Sequence, residues 1–437
     1  MMRKRAFIRT FGCQMNEYDS EVMAGILKRE GYALAKVAEE AELVLLNTCS
    51  VRQHAEDKVF SKLGELKRLK DKQPEMKIGV AGCLAERMKE ELFVQIPHLD
   101  FILGPSHIKN LPEILKNIED GKKKIAVTGE AQLPQVEKEV LRQNNLSAYL
   151  PITFGCSHFC SYCIVPYVRG GQRSKGMEVI LKEAEELTKR GYKEIILLGQ
   201  QVNAYGQDLG NQINLAFLLR ELDVIEGLER IRFITAHPSK IDNGLIEAMS
   251  ECQRVCEHIH LPLQSGSDEV LGRMERGYTR DEYLEIIKKL RQTIPEISIT
   301  TDIIVGFPGE NSTDFEATLE LISQIRFDGA FMFKYSPRPE TKAATLPNQI
   351  EEEVKRERLS RLIEVQNRIT KEKNRELVGQ KEEVLVTSSN PKIPTEIMGK
   401  TRTNKVVFLE GSQDLVGELL EVEIISSSTW HLKGKKR

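Results

Sequence analysis

Three thiols lie within eight residues in Cys156-Ser-His-Phe-Cys160-Ser-Tyr-Cys163, on a loop that follows the apolar run 150–155. Three cannot pair internally, so this spacing reads as a metal or cluster site rather than a disulfide framework. A four-iron cluster has four irons to ligate, and three thiolates leave one of them without a protein ligand. An open metal position points to catalysis, by the logic that separates catalytic from structural zinc sites. A structural zinc site using these cysteines with His158, or with a distant fourth ligand, is the competing reading. Common zinc patterns, however, come as two separated ligand pairs.

A second set is dispersed. Cys13, Cys49 and Cys83 are separated by 36 and 34 residues, about one strand–helix unit apiece. Each falls just beyond an expected strand and just before an expected helix. In open α/β sheets the loops at the carboxyl ends of the strands gather on one edge, where ligands bind. Such a fold would bring these thiols together as another three-cysteine site with a vacant iron. The alternative is three unrelated buried thiols. Cys252 and Cys256 read as packing thiols, and His258 and His260 as structural residues of one strand. Gly272-Arg-Met-Glu-Arg-Gly277-Tyr-Thr279 mimics phosphate-loop spacing, but Tyr278 replaces the essential lysine, so nucleoside triphosphate binding is rejected.

The elements that must position these residues follow from periodicity. Strands are expected at 5–11, 43–46, 77–81 and 99–103, with helices at 17–30, 55–70, 85–95 and 108–119. This alternation argues a parallel sheet covered by helices over residues 1–120. Residues 121–148 are polar and weakly periodic and read as a linker. Residues 149–350 carry six strand patterns, at 150–154, 194–198, 230–236, 258–263, 298–305 and 327–335, alternating with helices. Six units are too few for an eight-stranded barrel and suit a partial one, with chemistry on the loops after the strands. Those loops include Gly199-Gln-Gln-Val-Asn203, His237-Pro238, Gln264-Ser-Gly-Ser-Asp268, Gly306-Phe-Pro-Gly-Glu310 and Ser336-Pro-Arg-Pro339. Residues 351–377 form a charged amphipathic helical pattern. Short alternating runs at 383–386, 405–408 and 421–425 then suggest a small all-β barrel over 378–437. The expected fold class is α/β, closed by that C-terminal β-barrel.

Composition sets outer bounds. The chain has 437 residues, 40% hydrophobic and 29% charged, with ample length for two or three domains. Its net charge of −2 announces no nucleic-acid partner, so any RNA contact must be local. No apolar run approaches a membrane span, and Arg9 interrupts the basic N-terminus before a signal core could form. A reducing cytoplasm is therefore expected, which favours metal over disulfides for the eight cysteines. The Asn145-Leu-Ser147 and Asn311-Ser-Thr313 sequons are then chance matches.

The Cys156–Cys163 arrangement resembles the radical S-adenosylmethionine (SAM) superfamily. Phe11-Gly-Cys13-Gln-Met-Asn16, Asn47-Thr-Cys49-Ser-Val-Arg52 and Ala81-Gly-Cys83 are similar to the N-terminal domain of methylthiotransferases. The residues after Cys49, with Ala55 and Lys58-Val-Phe60, resemble the tRNA-modifying branch, and the last 60 or so residues resemble the RNA-binding TRAM domain. The resemblance implies two four-iron clusters, at Cys156, Cys160 and Cys163 and at Cys13, Cys49 and Cys83, the second carrying or receiving the sulfur. It implies SAM binding by Gly199 and Gln200 at the methionyl amino group, and by Gln264, Ser265, Ser267, Val305 and Gly306 at ribose and adenine. It further implies methylthiolation at C2 of N6-isopentenyladenosine beside the anticodon, using two SAM molecules. The implied partners are a tRNA anticodon stem-loop and flavodoxin or ferredoxin as electron donor. No membrane is involved, and a monomer is expected. Lys400, Arg402 and Lys405, beside the tail Lys433-Gly-Lys-Lys-Arg437, are the expected phosphate contacts. Threonylcarbamoyladenosine, a ribosomal-protein aspartate, or a non-catalytic iron–sulfur RNA-binding role are the alternatives.

Overall fold

Leu43-Val-Leu-Leu46 is buried along its whole length, as a parallel strand covered by helices on both faces must be. Around it the computed structural model, which describes residues 4–50, 53–130, 140–210 and 212–437, builds a six-stranded parallel sheet. Its strands are β1 (Arg5–Phe11), β2 (Ala33–Leu34), β3 (Leu43–Thr48), β4 (Lys77–Gly82), β5 (Phe101–Leu103) and β6 (Ile125–Val127), in the order β2-β1-β3-β4-β5-β6. The Val51-Arg52 end of the Cys49 motif, the Ala55 side chain and residues 131–139 of the expected linker lie outside the described residues. Two strands, β2 and β6, are additions to the sequence expectation. β6 falls within the stretch read as linker, where Ile125 to Val127 pair with Phe101 to Leu103. Three residues are too few to show a period.

The central strands are β7 (Ser147–Pro151), β8 (Thr153–Phe154), β9 (Arg173–Ser174), β10 (Glu194–Leu198), β11 (Arg230–Phe233), β12 (His258–His260), β13 (Ser298–Val305) and β14 (Gly329–Lys334). β7-β10-β11 and β12-β13-β14 are parallel three-stranded sheets, joined where Ile231 bridges Val255. Together they make the partial six-stranded barrel. The expected strand 150–154 breaks after Pro151, and β8 turns away to pair antiparallel with β9. That short ladder frames the Cys156 loop.

The helix Glu352–Glu376 leads to a closed barrel of β15 (Lys381–Asn390), β16 (Ile393–Thr401), β17 (Val406–Glu410), β18 (Leu419–Ser427) and β19 (Leu432–Lys436). β16, carrying Pro394 and Gly399, and β19, a lysine-rich run, are not expected as strands from the sequence. β19 lacks the β-branched and aromatic density that marks strands locally, whereas β16 carries Ile393, Thr395, Ile397 and Thr401 but is interrupted by Pro394 and Gly399. Leu432 and Gly434 point inward while Lys433 and Lys435 are exposed.

This barrel caps the amino ends of the central strands, and that placement corrects the reading of Lys400, Arg402 and Lys405 as phosphate contacts. Arg402 donates to Glu257 Oε2 (2.7 Å) and to the Val255 carbonyl (2.7 Å). Lys405 Nζ pairs with Asp328 Oδ1 at 3.2 Å, and Lys400 lies half-buried against the same face. The fully buried Arg230 donates to the Lys400 carbonyl (2.6 Å) and to Glu383 Oε1 (2.9 Å), while Arg232 donates to the Thr401 and Arg402 carbonyls. The three residues hold the two domains together. The charges of Arg402 and Lys405 meet carboxylates that only the fold brings within reach, and Lys400 takes part through its carbonyl.

Candidate cluster-binding site

β1, β3 and β4 are neighbours in the sheet, so the turns that follow them lie side by side. Cys13 caps the helix Gln14–Arg29, Cys49 directly follows β3, and Cys83 opens the helix Cys83–Met88. The helix N-terminus favours a thiolate at Cys13. A hydrogen bond with Cys49 pulls the Cys13 thiol down to about 6, against burial and helped by the Arg169 cation. Burial pushes the Cys83 thiol up, and Arg169 opposes that rise. The dispersed thiols are thus one group.

The contiguous set surrounds the carboxyl end of β7 and β8. Gly155, at φ +72°, starts the loop in a left-handed conformation, and a Cβ there would fall on the carbonyl oxygens of Gly170 and Gly171. Cys156 N donates to the Gly170 carbonyl (3.0 Å) and Cys163 N to the Cys160 carbonyl (3.0 Å). Burial and the neighbouring Cys160 push the Cys163 thiol up to about 12. Burial also works against a charged Cys160, but His158 and Arg276 outweigh it and lower that thiol. Arg276 Nη1 donates to Cys160 Sγ at 3.3 Å, Nη2 to the Pro262 carbonyl at 3.1 Å and Nε to Tyr278 Oη at 3.1 Å. Arg276 and Tyr278 belong to the segment rejected as a phosphate loop. They serve the cysteine loop instead.

The expected SAM residues divide by where their polar atoms go. Gly199 lies so close to Thr153 that a side chain would overlap its Oγ1, and Gln200 Oε1 accepts from Gly155 N at 2.6 Å. Gln264 is buried with its Oε1 lacking a partner among the described residues. The Ser265 hydroxyl lies 3.4 Å from Thr318 Oγ1, and that of Ser267 donates to Asp314 Oδ1 at 2.5 Å and caps the helix Asp268–Arg273. Val305 is fully buried, and Gly306 N donates to Glu310 Oε1 at 2.8 Å.

Sequence reasoning placed His237 in a loop expected to carry chemistry but gave it no role, and it missed Thr153. Thr153 Oγ1 and His237 Nε2 join Gln264 Oε1 as buried polar atoms without a partner among the described residues. All three sit at or just beyond strand carboxyl ends. Unpartnered buried polar atoms cost free energy unless a ligand or water meets them, so these three atoms suit a polar ligand such as SAM. His237 is held by Asn203, whose Nδ2 donates to its carbonyl at 2.9 Å, and burial keeps its ring neutral, at about 2. Arg169 and Arg276, each on a cysteine sulfur, were also missed (3.3 Å each). Only the glycine flanking of Arg169 in Val168-Arg-Gly-Gly171 hinted at a constrained role. His158, Cys160 and His237 place ligand atoms within 4.8 Å of one another. His158 Nε2 lies 3.1 Å from the Glu275 carbonyl, the kind of contact that orients a histidine whose other ring nitrogen ligates a metal.

Three thiols per site, with no fourth protein thiol in either group among the described residues, fit a four-iron cluster with one open iron. Among the described residues no helix is long and apolar enough to cross a membrane.

Comparison with known proteins agrees along the whole chain. Residues 5–104 match the uncharacterized protein family UPF0004, residues 150–322 the radical SAM superfamily and residues 375–436 the TRAM domain. The tRNA-2-methylthio-N(6)-dimethylallyladenosine synthase of Moorella thermoacetica is 47% identical over 99% of this chain and 98% of its own. The synthase of the same name from Carboxydothermus hydrogenoformans is 45% identical over 99% of each. Among solved structures, the radical SAM methyltransferase TsrM from Kitasatospora setae, with cobalamin and a 4Fe-4S cluster bound, superposes with a TM-score of 0.57. It is 14% identical and covers 78% of this chain and 77% of its own, a likeness of fold.

Proposed function

Because the chain belongs to the family of the tRNA-2-methylthio-N(6)-dimethylallyladenosine synthases, we propose that it methylthiolates C2 of N6-isopentenyladenosine beside a tRNA anticodon. It is a radical SAM enzyme with SAM and iron–sulfur clusters as cofactors. When bound, these supply an electron and a 5′-deoxyadenosyl radical for a C–H bond that acid–base chemistry leaves inert.

The observation that carries the reading is the packing of one three-thiol group, across a domain boundary, against the segment that follows the other. Cys83 packs with Ile164 and Val168, on the segment that follows Cys163. In this reading Cys156, Cys160 and Cys163 hold the cluster that binds SAM, and Cys13, Cys49 and Cys83 hold the cluster that handles sulfur. Thr153, His237 and Gln264 orient SAM with Gly199 and Gln200, and the Val305-Gly306 and Ser265–Ser267 backbones border its nucleoside. The C-terminal barrel grips the tRNA stem through Trp430 and the outward lysines of β19, all exposed. Flavodoxin or ferredoxin serves as reductant, and the enzyme acts as a cytoplasmic monomer.

The test is anaerobic turnover of an isopentenylated anticodon stem-loop with SAM, reductant and sulfide, read by nucleoside mass spectrometry. A 2-methylthio product is expected. Product on threonylcarbamoyladenosine but not on the isopentenylated substrate would overturn the substrate assignment.

A further inference from the structure

Arg169 ends the short helix Val165–Arg169 after the Cys163 loop, yet its side chain leaves the central barrel. Its Nε donates to Cys83 Sγ at 3.3 Å and its Nη2 to Asp19 Oδ2 at 2.7 Å. Both Arg169 and Asp19 are buried, so the pair is held by the fold rather than by surface attraction. Burying a guanidinium is costly, and it stays charged because it does not deprotonate in proteins. One carboxylate offsets that charge. The remaining groups facing it are the thiols of Cys83 and Cys13.

We propose that Arg169 is a positioning residue that the radical SAM domain contributes to the N-terminal cluster, fixing Cys83 and raising the cluster's reduction potential. The proposal rests on the reading that Cys13, Cys49 and Cys83 hold a cluster. Reduction adds negative charge to a cluster, and a fixed cation hydrogen-bonded to a ligand sulfur stabilises the reduced form more than the oxidised one. The barrel site has its own guanidinium, Arg276 on Cys160, drawn from the same domain. The N-terminal site takes its cation from across the boundary and is complete only when the two domains are docked.

The test uses full-length protein carrying Cys156→Ala, Cys160→Ala and Cys163→Ala, so that one cluster alone gives the signal in a redox titration followed by electron paramagnetic resonance. Arg169→Met is expected to shift the midpoint to more negative potential. Arg169→Lys should shift it less, because charge is kept and the planar fork is lost. Asp19→Asn should shift it the opposite way, since the cation then loses its compensating carboxylate. Unmoved midpoints across the three variants, or a positive shift in Arg169→Met, would overturn the role of Arg169. If Arg169→Met does not accumulate as folded protein, the signs of the other two shifts decide by themselves. A parent that binds no iron in this background overturns the N-terminal cluster assignment and this proposal with it, whereas bound iron with unmoved potentials overturns this proposal alone.

Discussion

Cys83 and Cys160 each accept a hydrogen bond from a buried arginine, at 3.3 Å in both cases, and the six thiols fall into two groups. The groups do different work in the proposed reaction, so they are separable by substitution. Reconstituted protein is expected to hold about eight irons, as two four-iron clusters. Replacing Cys156, Cys160 and Cys163 with alanine should remove about half of that iron and all formation of 5′-deoxyadenosine. Replacing Cys13, Cys49 and Cys83 should likewise remove half, leave 5′-deoxyadenosine measurable and abolish methylthio product. Normal sulfur transfer by the second variant would make the N-terminal group structural.

At the scale of elements, β19 shows how the same lysines change meaning once they are a strand. Alternation buries Leu432 and Gly434 and turns Lys433 and Lys435 to solvent, with Lys436 exposed at the strand's end. A Cβ at residue 434 would overlap Val422, so the run is tied into the barrel wall. Exposed cations on a rigid strand neutralise phosphates without further ordering. Changing Lys433, Lys435 and Lys436 together to alanine should flatten the dependence of log tRNA affinity on log salt, by about one for each phosphate no longer neutralised. An unchanged slope would mean that other residues neutralise the tRNA backbone. Arg402 and Lys405 carry no such expectation, because carboxylates of the central barrel already take their charge, and Lys400 lies half-buried against that domain.

At the scale of the whole molecule, the C-terminal barrel and the cysteine loops occupy opposite ends of the central strands. Eight residues of β13 span about 26 Å, a distance that a tRNA held by the C-terminal barrel in the proposed way would have to bridge. Ion pairs cross the docked interface. Burial raises the Asp328 carboxyl, but the Lys405 and Lys373 cations more than offset it and hold it below its usual value; Glu194 is held low in the same way by Arg232. Folded values below the unfolded ones mean this stabilisation is full above the ordinary carboxylate range and is lost as pH falls through the depressed folded values. Hydrogen exchange in β15 and β16 should therefore rise on acidification before exchange in the N-terminal sheet does. Arg230→Met should produce the same release at neutral pH. It leaves the Lys400 and Glu383 carbonyls without their donor, at roughly 1–3 kcal/mol each. Protection unchanged by either treatment would mean that apolar contacts hold the domain.

The sequence by itself determined the alternation of elements, the order of the three domains and the grouping of the cysteines. Each of these is a local property. A strand's period shows within a few residues, three thiols in one loop need no tertiary partner to be recognised, and the placement of Cys13, Cys49 and Cys83 is a matter of position between strand and helix. Only the tertiary structure decided which charges meet. Arg169 contacts residues 86 and 150 positions away, and Arg276 reaches a sulfur 116 positions away. Apart from the glycines that follow Arg169, nothing near either residue distinguishes it from a solvated arginine. Lys400, Arg402 and Lys405 looked like a basic surface for the same reason, since Glu257 and Asp328 lie in another domain of the chain. β6 escaped notice because three residues show no period, β16 because Pro394 and Gly399 interrupt it, and β19 because pairing rather than side-chain preference makes a lysine-rich run a strand. Electrostatic and hydrogen-bond partners are set by distance in space, and a linear pattern carries that distance only where the chain itself keeps the partners close.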